Sequence, residues 1–178
     1  MRLEVTAVRF LWFLVFATWA CATSAPPLLL LELNYWEQTN PLLEKAILEG
    51  GTPLAEVYID NLSGLTRGDQ QAWERIAIGA KTALPVYKSV FTELVKIQPP
   101  SAGMAGDVHT AYGLAWGERL ASLELIVTSW ESGSDATFRE GLDRMQTASA
   151  LGRHAEDLRR QFNTHLLSQC EKYRVSRC

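Results

Sequence analysis

Over residues 70–97 the apolar positions Trp73, Ile76, Ala80, Leu84, Tyr87, Phe91 and Leu94 recur at steps of three and four. At 3.6 residues per turn those steps share one face, which predicts an amphipathic helix with a buried stripe. Pro85 lies inside it and should bend it. Pro99-Pro100-Ser101 should end it, because a residue before proline disfavours helical angles. The period returns over residues 108–130 through Tyr112, Trp116, Leu120, Leu123, Val127 and Trp130. After Ser132-Gly133-Ser134 it runs through Phe138, Leu142, Met145, Leu151, Ala155, Leu158, Phe162 and Leu166. Thr137 and Glu140 fit a capping box; Ser134 or Asp135, one turn earlier, is the alternative cap.

Upstream, residues 28–51 are helical in period, with Leu29, Leu33, Trp36, Leu43 and Ile47 on the apolar face. Pro41 predicts a kink or a restart after Asn40. Gly50-Gly51 predicts a stop, and Thr52-Pro53 an N-cap with proline in the first turn. A short helix over 54–65 carries Val57, Ile59 and Leu62; Arg67-Gly68-Asp69 breaks it, and Asp69 can cap the next. No alternating strand pattern occurs. The expectation is an all-α protein, an up-down antiparallel bundle of about four main helices, some kinked. Its predicted core is Trp73, Leu84, Phe91, Trp116, Leu123, Trp130, Phe138, Leu142, Leu158 and Phe162.

The first residues read differently. Arg2 and Arg9 precede an apolar run over 10–20 that ends in small residues. Eleven helical residues span ~16 Å, about half a hydrocarbon core, so the pattern is that of a secretory signal peptide and not of a membrane span. The expected organisation is a signal peptide over 1–20, a linker over 21–27 and a helical bundle domain over 28–178. Ala20-Cys21 resembles the end of a bacterial lipobox, in which the cysteine is lipidated and the chain is tethered to the membrane without crossing it. Trp19 departs from that pattern; cleavage after Ala22, giving a soluble secreted or periplasmic protein, stays open beside it.

The 178 residues are 47% hydrophobic and 21% charged, with a net charge of −3. That excludes intrinsic disorder and argues against a nucleic-acid partner. The charge is uneven: residues 21–152 hold 9 basic and 16 acidic side chains, residues 153–178 hold 6 and 3. Of the three cysteines, Cys21, Cys170 and Cys178, lipidation or removal of the first leaves a pair, which predicts a Cys170–Cys178 disulfide at the C-terminus. Eight helical residues would hold their Cα atoms ~12 Å apart, so the helix must end soon after Cys170 and the tail fold back. No Cys-x-x-Cys is present, which removes thioredoxin-like and zinc-ribbon readings.

Candidate chemistry is sparse. A di-iron bundle needs Glu-x-x-His, but Gly106, Leu151 and Phe162 stand three residues before His109, His154 and His165. No metal site and no cofactor is expected, and no catalytic residue is named; nucleophile elbows and phosphate loops are missing too. Paired acids such as Glu156 and Asp157 look like a solvated helix face. Arg67-Gly68-Asp69 is explained by its loop, and Asn61-Leu62-Ser63 is a glycosylation sequon only in a eukaryotic secretory context. His109, His165, Tyr112 and Trp116 lie on or beside apolar stripes. They are the candidate ligand-binding residues for a small apolar molecule or haem held between helices, with core packing as the plainer explanation.

The phrase from Leu94 to Tyr112, with Gln98-Pro99-Pro100 closing one helix and His109 and Tyr112 opening the next, resembles the hinge of a group of exported bacterial helical-bundle proteins, many of them predicted lipoproteins. The resemblance implies export and a bundle over roughly residues 28–165; it implies no activity. The resulting expectation is a non-enzymatic cell-envelope protein, lipid-anchored to a membrane, that acts as a structural or interaction module for an envelope protein. A carrier of an apolar ligand or haem is the alternative.

Overall fold

Pro26 enters at φ −55°, ψ 139° and Pro27 occupies the first helical turn, where a missing N–H costs nothing. From there the computed structural model, which describes residues 25–177, is an all-α helical bundle. Helix α1 spans Pro27–Lys45, α2 Thr52–Arg67, α3 Gln70–Leu94, α4 Ala105–Ser132 and α5 Asp135–Tyr173. A widened π-turn over Ala46–Gly51 joins α1 to α2 without interrupting the helix.

This first segment corrects four expectations. The chain does not restart after Asn40: α1 runs through Pro41, which is exposed. Gly50-Gly51 does not stop it, and Thr52, at φ −64° and ψ −51°, is helical and not an extended cap. The reason lies on α3. A Cβ on Gly50 would stand 2.9 Å from Cε2 of Tyr87, and one on Gly51 3.1 Å from its hydroxyl. The glycines let the backbone lie against the Tyr87 ring, and a widened turn ahead of Pro53 relieves the clash of its ring with the preceding turn. Ile47, Ile59 and Leu62, expected on the buried face, are 42%, 68% and 47% exposed.

The remaining boundaries follow local chemistry. Gly68 at φ 74° closes α2, with the Asp69 N–H donating to the Gly64 carbonyl. The Asp69 carboxylate then accepts from the Gln71 N–H at 2.9 Å and caps α3. Helix α3 ends at Leu94, before the expected 97, and α4 opens at Ala105. Gly133 at φ 70° closes α4 with the same bond pattern, from the Ser134 N–H to the Ser129 carbonyl. Ser134 precedes α5, its hydroxyl paired with that of Thr137 at 2.9 Å. Arg174 at φ 53° ends α5, and Val175 N–H returns to the Cys170 carbonyl.

Helices α1 and α4 each meet α5 in opposite order along their lengths. Glu32, Tyr35 and Asn40 of α1 meet His165, Phe162 and Arg159 of α5. Tyr112, Arg119 and Ser122 of α4 meet Glu156, Ser149 and Gly141 of α5. The α4–α5 seam is the closest: a Cβ on Gly141 would lie 2.7 Å from Cγ1 of Ile126 and 3.1 Å from its backbone N. Of the expected core, Trp73, Trp116, Leu123, Phe138 and Phe162 are buried; Leu84, Phe91, Trp130, Leu142 and Leu158 are half-buried against it. Trp73 stacks on Phe138 with ring centroids 5.0 Å apart.

Candidate functional site

Helix periodicity gathers the candidate residues at one end of the bundle, where α1, α4 and the second half of α5 converge. Steps of three and four place Glu32, Tyr35, Trp36, Thr39 and Asn40 along α1. The same steps place His109, Tyr112 and Trp116 along α4, and Glu156, Arg159, Phe162 and His165 fall on the facing side of α5.

Two carboxylates organise this end. The first, Glu156, accepts from the Tyr112 hydroxyl at 2.8 Å and from Arg159 through both oxygens, at 2.9 and 2.8 Å. Burial acts to raise its pKa, but the bonds from Arg159 and Tyr112 and the charges of Arg159 and Arg160 outweigh that and hold it below the ordinary value. Arg159 also reaches Oδ1 of Asn40 at 3.4 Å and lies over the Trp36 ring at 5.9 Å. Glu156 is therefore half-buried and occupied, a correction to the solvated face expected of it.

The second carboxylate, Glu32, is 1% exposed. Its Oε1 accepts from the Met104 N–H at 3.0 Å, and its Oε2 lies 3.5 Å from Nε2 of His165. Gly103, at φ 85°, sits directly against Oε1, where a side chain would have no room. One α1 carboxylate thus fastens the loop before α4 and meets α5. No motif in the sequence marks Glu32. Its signal was position, an acid inside an apolar run over residues 28–33 and on the stripe that carries Leu29, Leu33 and Trp36.

His109 and His165 occupy different settings. The His109 ring meets Tyr35 edge-on at 6.0 Å, and its buried Nδ1 has no hydrogen-bond partner among the described residues. Desolvation lowers its pKa and favours the neutral ring. His165 is partly open to solvent beside Glu32. Tyr112 and Trp116 are buried, 5.4 Å apart and edge-to-face; burial raises the Tyr112 phenol, with Glu156 adding to it. The cleft that opens at this end, of about 250 Å³, is lined by Leu33, Trp36, Asn163, Leu166, Leu167 and Arg177. Among the described residues no three His, Cys, Asp or Glu are grouped to hold a metal ion. The chemistry this end supports is hydrogen bonding and charge pairing between helices.

No protein-family model, curated protein or solved structure matches this chain.

Cys21 and Cys178 lie outside the described residues, as do the expected signal peptide and most of the expected linker. Cys170 is buried in the last turn of α5 and is not without a partner. Asn61 of the sequon is also buried, its amide donating to the Val57 carbonyl at 2.7 Å, which leaves a glycan no access in the folded chain. No described helix is long and apolar enough to cross a membrane.

Proposed function

We propose that this chain is a non-enzymatic cell-envelope protein, exported and lipid-anchored at Cys21, whose helical bundle is a structural or interaction module for another envelope protein. The observation that carries the reading is the number of apolar side chains left exposed along the first helical segment. Leu28, Leu30, Leu31, Ile47, Leu48, Ile59 and Leu62 are all exposed along it, and apolar side chains gathered on one element are what a protein partner covers. Export is supported by the N-terminal charge and hydropathy pattern and by the cysteine parity. A Cys170–Cys178 disulfide belongs to the same reading: the turn at Arg174 reverses the tail toward α5, as a bridge needs, and oxidising compartments favour it.

The experiment is expression of the full chain in a Gram-negative host, with fractionation and mass spectrometry of the N-terminal peptide. A diacylated Cys21, membrane retention that Cys21→Ala abolishes, and in-cell cross-linking from Leu48 or Ile59 to one envelope protein are expected. An unmodified cytoplasmic chain overturns the reading. A stoichiometric haem band in the absorbance spectrum overturns it in favour of the carrier.

A further inference from the structure

Away from the end just described, α2 stands off from α4 and α5 and leaves an open cleft of about 550 Å³. It is lined by Arg119 of α4, by Met145, Ser149 and Arg153 along one stripe of α5, and by Leu54 and Ile59 of α2. Its size falls in the range of small-molecule sites.

Arg119 is the unusual member. Arg144, Arg159 and Arg160 each reach a carboxylate within 4 Å, whereas Arg119 reaches none among the described residues. Its one hydrogen bond goes to Oγ of Ser149 at 3.0 Å, and that hydroxyl already donates to the Met145 carbonyl. A guanidinium has five N–H donors in a planar fork, so most of this one's capacity is unused. Desolvation lowers the Arg119 pKa, a sign that the charge is carried at some cost. Tyr87 interacts with it electrostatically, but burial raises that phenol and keeps it neutral, so it supplies no countercharge. Arg153 is exposed and unpaired, and no acidic side chain lines the cleft. The glycine-rich π-turn contributes Gly51 to the rim, and such turns occur often at functional sites.

A half-buried, uncompensated cation with a second, exposed cation beside it and apolar side chains lining the same cleft is complementary to one kind of molecule. We propose that this cleft binds a small anionic amphiphile, its carboxylate or phosphate head between Arg119 and Arg153 and its apolar part against Leu54, Ile59 and Met145. The proposal is independent of lipid anchoring; Ile59 is the one side chain it shares with the exposed apolar residues of the first helical segment.

Isothermal titration of the full chain with octanoate, octyl phosphate, octanol and inorganic phosphate tests it. Saturable one-to-one binding of octanoate or octyl phosphate is expected, and the tighter of the two identifies the head group. Octanol and inorganic phosphate should each bind at least roughly tenfold more weakly, since each lacks half of the match. Arg153→Glu, an exposed position without a partner, should keep the circular dichroism spectrum and weaken binding roughly tenfold or more. Arg119→Gln should do the same at the deeper head-group contact. Absence of saturable binding overturns the proposal. So does binding that Arg153→Glu leaves unchanged, or inorganic phosphate binding as tightly as octyl phosphate.

Discussion

Replacing Gly141 by alanine should destabilise the bundle, whereas the same change at Gly152, on the same helix, should stabilise it. Both glycines lie in α5 at negative φ, so intrinsic helix propensity favours alanine at each by ~1 kcal/mol. Their surroundings differ. At Gly152 a Cβ meets nothing within 4 Å. At Gly141 it would lie 2.7 Å from Cγ1 of Ile126, 3.1 Å from the Ile126 backbone N and 3.3 Å from Cβ of Leu125. The Ile126 backbone cannot swing aside as a side-chain tip can, so α4 and α5 must separate. Overpacking of this kind costs ~1–3 kcal/mol, here toward the upper end. Separation also stretches the bond from the Ser122 hydroxyl to the Gly141 carbonyl, 2.8 Å and buried, worth ~1 kcal/mol. Less the propensity gain, Gly141→Ala should lose about 1–3 kcal/mol, a melting temperature lower by ~3–10 °C for a chain of this size. Gly152→Ala should gain ~0.5–1 kcal/mol. Urea unfolding followed by circular dichroism reads both. Equal shifts in the two variants, or a stable Gly141→Ala, would refute the close α4–α5 approach.

Two further outcomes follow from the carboxylates. Glu32→Ala removes the acceptor for the Met104 N–H and the neighbour of His165; with a charged acceptor lost, a destabilisation of ~1.5–3 kcal/mol is expected. Hydrogen exchange at the Met104 amide should accelerate, and an unchanged rate would show that Glu32 does not fasten the loop. Glu156 has a folded pKa below its unfolded value of 4.5, so its stabilisation is complete above that value and is lost as pH falls through the lower folded one. Glu156→Gln should therefore flatten the acid limb of a stability–pH curve, and an unaltered limb would assign acid sensitivity to other groups.

The helical stripes were legible because each must bury one face, and that demand is written at steps of three and four. Trp73, Phe138 and Phe162 could be placed in the core for that reason alone. The π-turn was not legible, because the Tyr87 ring that its glycines pack against lies on another helix; read locally, Gly50-Gly51 before Thr52-Pro53 is a stop and a start. His109, Tyr112, Trp116 and His165 were marked by their proximity to apolar stripes, and helix pairing brings them to the same end. Glu32 carries no local mark and Glu156 reads as solvated, because acids on helices usually are. Whether an acid is solvated or clamped depends on the facing helix, which here supplies His165 to one and Tyr112 to the other. Arg119 escaped for the same reason, since only the assembled bundle shows that no carboxylate comes near it.

The opposed order of contacts along α1 and α5 has a mechanical consequence. Pro27 and Tyr173 lie at the same pole, and the tail beyond Arg174 doubles back so that Arg177 meets Glu37 at 2.6 Å. Tension applied between the two ends of the described chain would not slide these helices along one another, which would load every contact at once. It would open them like a zipper, rupturing the Arg177–Glu37 pair, then Glu32–His165, then the Phe162 ring contacts, one row after another. A bundle loaded in that direction yields at low force however stable it is to heat. Attached through one end alone, it carries no such load and keeps its full thermodynamic stability.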